Sequence, residues 1–327
     1  MKEVLKSAVN LANQFQFTLK FIHPMPEWIK SVTLMMHNYG IDGFQADELH
    51  IETYPHAKTV FDAKGNVLEE ISYSRIGEIE SRYEHRYDDQ GHLLETLYFS
   101  GEELTDRRTF ELRDDGKADR EFKHYLDGSF DTITYQYNDL GQLIGKVTAD
   151  EDGNIESSMV LDYSGSTLLA EKEKDGDGTL LSEKSFRYDE HGHLVEFSEW
   201  NRENESRIRT VEEYDENGLR ISTSRYRDGK LRERISYSSD DKGQVARMTE
   251  ENEGGVSAYQ FEYDETGNIL VQEETDRQGE VISRMERTYD AGGRVLDNKV
   301  FIDGQGRRMS QYYRIEYIYE WEGEHEP

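Results

Sequence analysis

The sequence predicts an all-β chain: tandem antiparallel β-hairpin repeats of about 25 residues, two strands each, coiled into a superhelical sheet or shell. Three observations carry that expectation. A five-residue pattern (an aromatic, Asp or Asn, two variable residues, then Gly) recurs seven times along the 327 residues. A second Gly-bearing turn falls midway through most repeats. Between turns, large residues alternate with polar ones at period two.

The copies, in chain order, are Phe61-Asp62-Ala63-Lys64-Gly65, Tyr87-Asp88-Asp89-Gln90-Gly91, Tyr137-Asn138-Asp139-Leu140-Gly141 and Tyr188-Asp189-Glu190-His191-Gly192, followed by Tyr214-Asp215-Glu216-Asn217-Gly218, Tyr263-Asp264-Glu265-Thr266-Gly267 and Tyr289-Asp290-Ala291-Gly292-Gly293. Worn copies near Leu112, Tyr163 and Tyr237 fill the gaps. The chemistry of the pattern is that of a hairpin. Asp or Asn opening a type I turn accepts a hydrogen bond from the backbone two residues on. Gly three places later supplies the positive φ of a G1 bulge. The midway signals Asp127-Gly128, Asp152-Gly153, Asp177-Gly178 and Asp228-Gly229 read as tighter two-residue type I′ turns.

Along the strands, Tyr135 and Tyr137, Phe186 and Tyr188, and Phe261 and Tyr263 share one face, with Gln136, Arg187 and Glu262 on the other. Ten repeats give about twenty strands. Open twisted sheets beyond about 10 strands curl or split, so the expectation is a coil with the aromatics inside. A β-propeller, two repeats to a blade, is the alternative.

Two segments flank the signature. Residues 1–54 are expected to form an N-terminal cap, with a short helix on Val4, Leu5, Ala8, Leu11, Ala12 and Phe15 and then irregular strands. Residues 55–327 form the array, whose last strand carries Tyr312, Tyr313, Tyr317, Tyr319 and Trp321 and is expected to close the core.

Composition restricts function more than it identifies it. The net charge is −30, which disfavours nucleic acid and anionic membranes and suits a basic protein partner. Zero Cys removes disulfides and thiolate chemistry. No apolar run approaches the 18 or so residues of a membrane helix. The N-terminus has no secretory leader pattern, so the expected location is the cytoplasm, or outside after export that needs no such peptide.

The Tyr-Asp-x-x-Gly-x-Leu signature resembles the YD repeats of the RHS family, found in bacterial polymorphic toxins and related cell-surface proteins. The resemblance covers roughly residues 55–320, with no recognisable toxin domain. It implies repeats wound into a β-sheet shell around a hollow, and sequestration of a toxin-like partner as one specific role.

No catalytic, cofactor-binding or metal-ligating residue stands out. The motif Asp residues have turns to stabilise, and no paired carboxylates can be singled out as an acid–base couple. The acidic stretches Glu173–Gly178 and Asp150–Asn154 lack the spacing of a calcium loop, and His191 and His193 flank Gly192 without a zinc pattern. The expected function is non-enzymatic protein binding through an acidic surface. A carbohydrate-binding module using the tyrosine stripe is the alternative, and a metal-assisted hydrolase ranks third.

Overall fold

A computed structural model describes residues 29–41, 49–304 and 310–322. The helix expected over residues 1–15 lies outside them. The described residues form one antiparallel sheet of 22 strands, each paired to its neighbours in sequence, from β1 (Ile29–Ile41) and β2 (Leu49–Phe61) to β21 (Val295–Ile302) and β22 (Gln311–Trp321). β22 then pairs with β1, from Ile29 opposite Trp321 to Tyr39 opposite Tyr312. The sheet is therefore a closed barrel. This overturns both the superhelical coil and the propeller: a single continuous sheet has no blades, and its two ends are joined.

The physical reason is the edge. A coil leaves two long strands with unpaired backbone groups, whereas closure removes both. The strand that accomplishes it, β1, carries no full copy of the repeat signature, only the degenerate His37-Asn38-Tyr39-Gly40. It occupies part of the segment expected to be irregular, and β2 runs across the expected boundary at residue 54. At about 4.8 Å per strand, 22 strands give a circumference of roughly 105 Å, and strand tilt widens it. A circular backbone cylinder of that circumference is roughly 35 Å across or more.

On several strands one face is the more buried. On β14 (Ser206–Tyr214), Ile208, Thr210, Glu212 and Tyr214 are half-buried while Arg207, Arg209 and Glu213 are exposed. On β16 (Lys230–Ser239), Glu233, Ile235 and Tyr237 are covered and Arg232, Arg234, Ser236 and Ser238 are not. A closed sheet crowds side chains on its concave side, so the face bearing the repeat tyrosines lines the interior. It is less apolar than the alternation suggests, because Glu212, Glu233 and Glu274 share it with the aromatics.

The tightly packed core is local. Ile29, Val32, Leu34, Phe61 and Ile315 are 0–4% exposed and form one cluster where β1 meets β2 and β22, with Met36, Tyr317, Tyr319 and Trp321 against it. Elsewhere the wall is held by hydrogen-bonded ladders and by Arg–carboxylate pairs between neighbouring strands. Buried Glu95 takes Arg86 and Arg107, each at 2.8 Å. Arg284 bridges Glu273 and Glu286, and Arg314 bridges Asp297 and Glu316.

The midway turns differ from expectation. In Tyr125–Ser129 the Gly128 N–H donates to the Tyr125 carbonyl, and the turns at Asp150 and Asp175 close the same way. These are the bulged type I turn of the main motif. Asp228-Gly229, with φ of 51° and 76°, does adopt the two-residue form in which both central residues are left-handed.

Candidate functional site

Because turns alternate between the two ends of the barrel, all seven motif turns lie on one rim, and the midway turns form the other. The motif residues are therefore brought together as a ring of repeating units. In each, the Asx carboxylate or amide oxygen accepts two backbone N–H groups: Asp62 Oδ1 from Lys64 at 2.8 Å and Asn66 at 2.9 Å, Asn138 Oδ1 from Leu140 and Gln142, and Asp264 Oδ1 from Thr266 and Asn268. The Gly residues sit at φ between 71° and 95°, where L side chains are strained.

Two parts of the unit were not foreseen. The residue after Gly reaches back to the second Asp oxygen, as Asn66 does to Asp62, His92 to Asp88 at 2.9 Å and Asn268 to Asp264 at 2.8 Å. That same side chain leans on the next turn around the rim: a Cβ on Gly116 would lie 2.2 Å from His92 Nε2, and one on Gly218 3.1 Å from His193 Nε2. The motif tyrosine donates its hydroxyl to the first carbonyl of the preceding strand, Tyr87 to Val67, Tyr263 to Val245 and Tyr289 to Ile269, each at 2.8 Å. Tyr137 to Ala118 and Tyr214 to Leu194 make the same bond, which accounts for Tyr over Phe in five of the seven copies. Those carbonyls stand beside bulges, where the register of the ladder shifts.

A concavity of about 890 Å³ opens on this rim between the turns at Asp189 and Asp215. His193 Nδ1 lies 2.9 Å from Asp189 Oδ2, and its ring stacks on Tyr214 at 4.7 Å between centroids. The Tyr214 hydroxyl donates to the Leu194 carbonyl at 3.1 Å, and Arg220 reaches Glu212 at 3.2 Å. Val195 and Ile221 supply apolar floor, and Glu213, Asp215 and Glu216 add carboxylates. The Asp–His pair has no hydroxyl or thiol nucleophile in hydrogen-bonding contact with it among the described residues. The arrangement is suited to holding a ligand, through charge and a stacked aromatic pair.

The acidic turns at Asp150 and Asp175 lie side by side on the opposite rim. Asp175 Oδ1 accepts the Asp177 and Thr179 N–H groups, and Asp150 Oδ1 those of Asp152 and Asn154. Among the described residues no cluster of three or more His, Asp or Glu side chains is arranged to hold a metal ion.

The hydrogen bonds of the ring hold its carboxylates down. The His92 backbone N–H, assisted by its side chain, brings Asp88 from 3.8 to about 2. The Asn268 amide lowers Asp264. In the barrel interior, burial and then Glu233 push half-buried Glu250 the other way. A lowered carboxylate stabilises fully above its unfolded pKa, and that contribution disappears as pH falls through the folded value. A raised one loses its contribution as pH rises. The melting temperature is therefore expected to climb as pH falls toward the carboxylate range, where Glu250 begins to protonate and self-repulsion falls. Below about pH 4 it should drop as Asp88 and its equivalents titrate. Calorimetry across pH checks this, and replacing Asp88, Asp189 and Asp264 with Asn should shrink the acid limb, Asp62, Asp150 and Asp290 being lowered as well.

No protein-family model matches the chain, and no curated protein matches it. Solved structures similar to it include a porin-like protein from Bacteroides uniformis, at 11% identity over 89% of this chain and 98% of that one, with a TM-score of 0.28. They also include TcdB2-TccC3, at 12% identity over 81% of this chain and TM-score 0.30, and the TcdB2-TccC3-Cdc42 complex, at 11% over 81% and TM-score 0.30. The chain spans 19% of the length of each of the latter two. Likenesses this distant carry no argument about function.

Proposed function

We propose that this chain is a YD-repeat barrel that acts as a non-enzymatic protein binder, holding a basic partner against its acidic rim. One observation carries the reading. The second residue of the rim turn is acidic and exposed in seven turns, at Asp89, Asp114, Asp139, Glu190, Glu216, Asp241 and Glu265, and none of these side chains makes the turn's own hydrogen bonds. Successive turns stand two strands apart, about 10 Å. Several arginines of the wall, among them Arg107, Arg187, Arg209 and Arg225, are by contrast engaged with wall carboxylates. The excess negative charge is therefore presented outward at regular spacing, where a basic surface would meet it with little desolvation cost.

Two other readings fit less well. A glycan platform needs ring faces and hydroxyls to spare, but most motif tyrosines have their hydroxyls on backbone carbonyls. A membrane-spanning barrel needs an apolar outer band, and β4 (Ile79–Tyr87) instead presents Glu80, Arg82, Glu84 and Arg86 outward. A toxin-like basic protein is the specific version of the partner that the repeat resemblance suggests.

The expected result is that the immobilised chain retains folded basic proteins, and not acidic ones of equal size, at about 50 mM salt and releases them by about 500 mM. Equal retention of both sets, or of neither, overturns the reading.

A further inference from the structure

The barrel repeatedly places a cation on its own rim aromatics. Arg113 lies 4.9 Å over Tyr137, Arg220 lies 4.5 Å over Tyr237, and Arg294 lies 4.6 Å over Trp321. In each case the cation comes from a turn or strand start on the same rim. At Tyr214 the neighbouring turn offers His193 instead, stacked at 4.7 Å, and the space beside that stack is the concavity of about 890 Å³. Its wall is acidic on both sides, from Asp189 and from Glu212 and Glu216, and Ile221 on its floor is 43% exposed. The concavity thus combines carboxylates, an aromatic stack and an uncovered aliphatic surface.

We propose that this concavity is the anchor pocket of the partner interface and receives an arginine side chain from the bound protein. The inference rests on the basic-partner reading and gives it an address. The chemistry fits arginine in two respects. Its aliphatic stem covers apolar surface while the charged head stays at the acidic mouth. Its planar guanidinium also pairs with carboxylates and stacks on aromatic rings, which an ammonium does less well. The three closest internal precedents are arginines, and Lys117 lies farther off, at 5.6 Å over Tyr137.

The test uses the full chain and a fluorescein-labelled nona-arginine peptide, followed by anisotropy at low salt. Glu216→Lys places a like charge at the mouth of the pocket, whereas Glu265→Lys makes the same change at an equivalent turn position that does not line it. Glu216→Lys is expected to weaken binding about tenfold and Glu265→Lys less than about threefold. Ile221→Ser leaves the charge unaltered, and it is expected to weaken binding about threefold by removing the apolar floor. Melting curves establish that all three variants fold. Equal losses for the two charge reversals, or no effect of Ile221→Ser, overturn the pocket and leave the basic-partner reading standing. No binding of the peptide to the unaltered chain overturns both.

Discussion

Leu34→Ala is expected to cost the barrel about 3–5 kcal/mol in chemical denaturation, while Val160→Ala costs less than about 1 kcal/mol. Both remove methyl groups from a strand of the same sheet. Leu34 is 0% exposed and sits in the cluster that joins β1 to β2 and β22, whereas Val160 is 49% exposed on the outer wall. A truncated core leucine loses its transfer energy and leaves a cavity that rigid neighbours fill only in part. Here those neighbours, Val32, Ile315 and Tyr317, come from the strands that close the ring. The loss is therefore concentrated at the seam. The variant should also expose unpaired edges of β1 and β22 at denaturant concentrations the parent withstands, so light scattering is expected to rise with unfolding. Equal costs for the two variants would mean that the seam is not where stability is concentrated.

The local half of this architecture was legible in the sequence. Asp-x-x-Gly specifies a turn whose hydrogen bonds form within five residues, and period-two alternation specifies which residues share a face. The strands on either side of Tyr137, Tyr188 and Tyr263 follow from those two facts. Closure does not, because it depends on a pairing between residues nearly 300 apart, such as Val32 with Tyr319. β1 achieves that pairing with an apolar inner face and no full copy of the motif. The midway turns show a smaller version of the same limit. An Asp-Gly pair suits a two-residue loop, but the strands flanking Asp127 stop at His124 and Phe130, with five residues between them. That span fits the longer bulged turn, with Asp127 at its third position. The anchor pocket was illegible for a similar reason. His193 and Tyr214 are 21 residues apart, and only the register of two hairpins stacks one on the other. The repeat spacing of about 25 residues was the available clue, since it places each post-glycine side chain beside the next turn.

The largest effect expected of a single glycine substitution falls outside the motif. Gly178 has a φ of 82°, so Gly178→Ala forces a left-handed conformation and is expected to cost about 1 kcal/mol. A Cβ there would meet nothing within 4 Å, so strain is the whole cost. Gly176, two residues earlier, has no positive φ and looks replaceable by the usual rule. Its Cβ, however, would stand 2.0 Å from the Ile155 carbonyl oxygen and 3.6 Å from Glu156 Cα. These are backbone atoms of the adjacent turn, at the start of β10 (Ile155–Ser164), and β10 is fixed on both sides by its pairings with β9 (Leu143–Ala149) and β11 (Thr167–Asp175). A side chain in the way could rotate, but a paired strand has to separate. Gly176→Ala is therefore expected to cost about 3 kcal/mol or more, several times the cost of Gly178→Ala, in parallel denaturation curves. The reverse order would show that the two turns do not approach as closely as this. If the order holds, two neighbouring glycines serve different ends, Gly178 for its backbone angle and Gly176 for the closeness of successive turns on which a continuous ring depends.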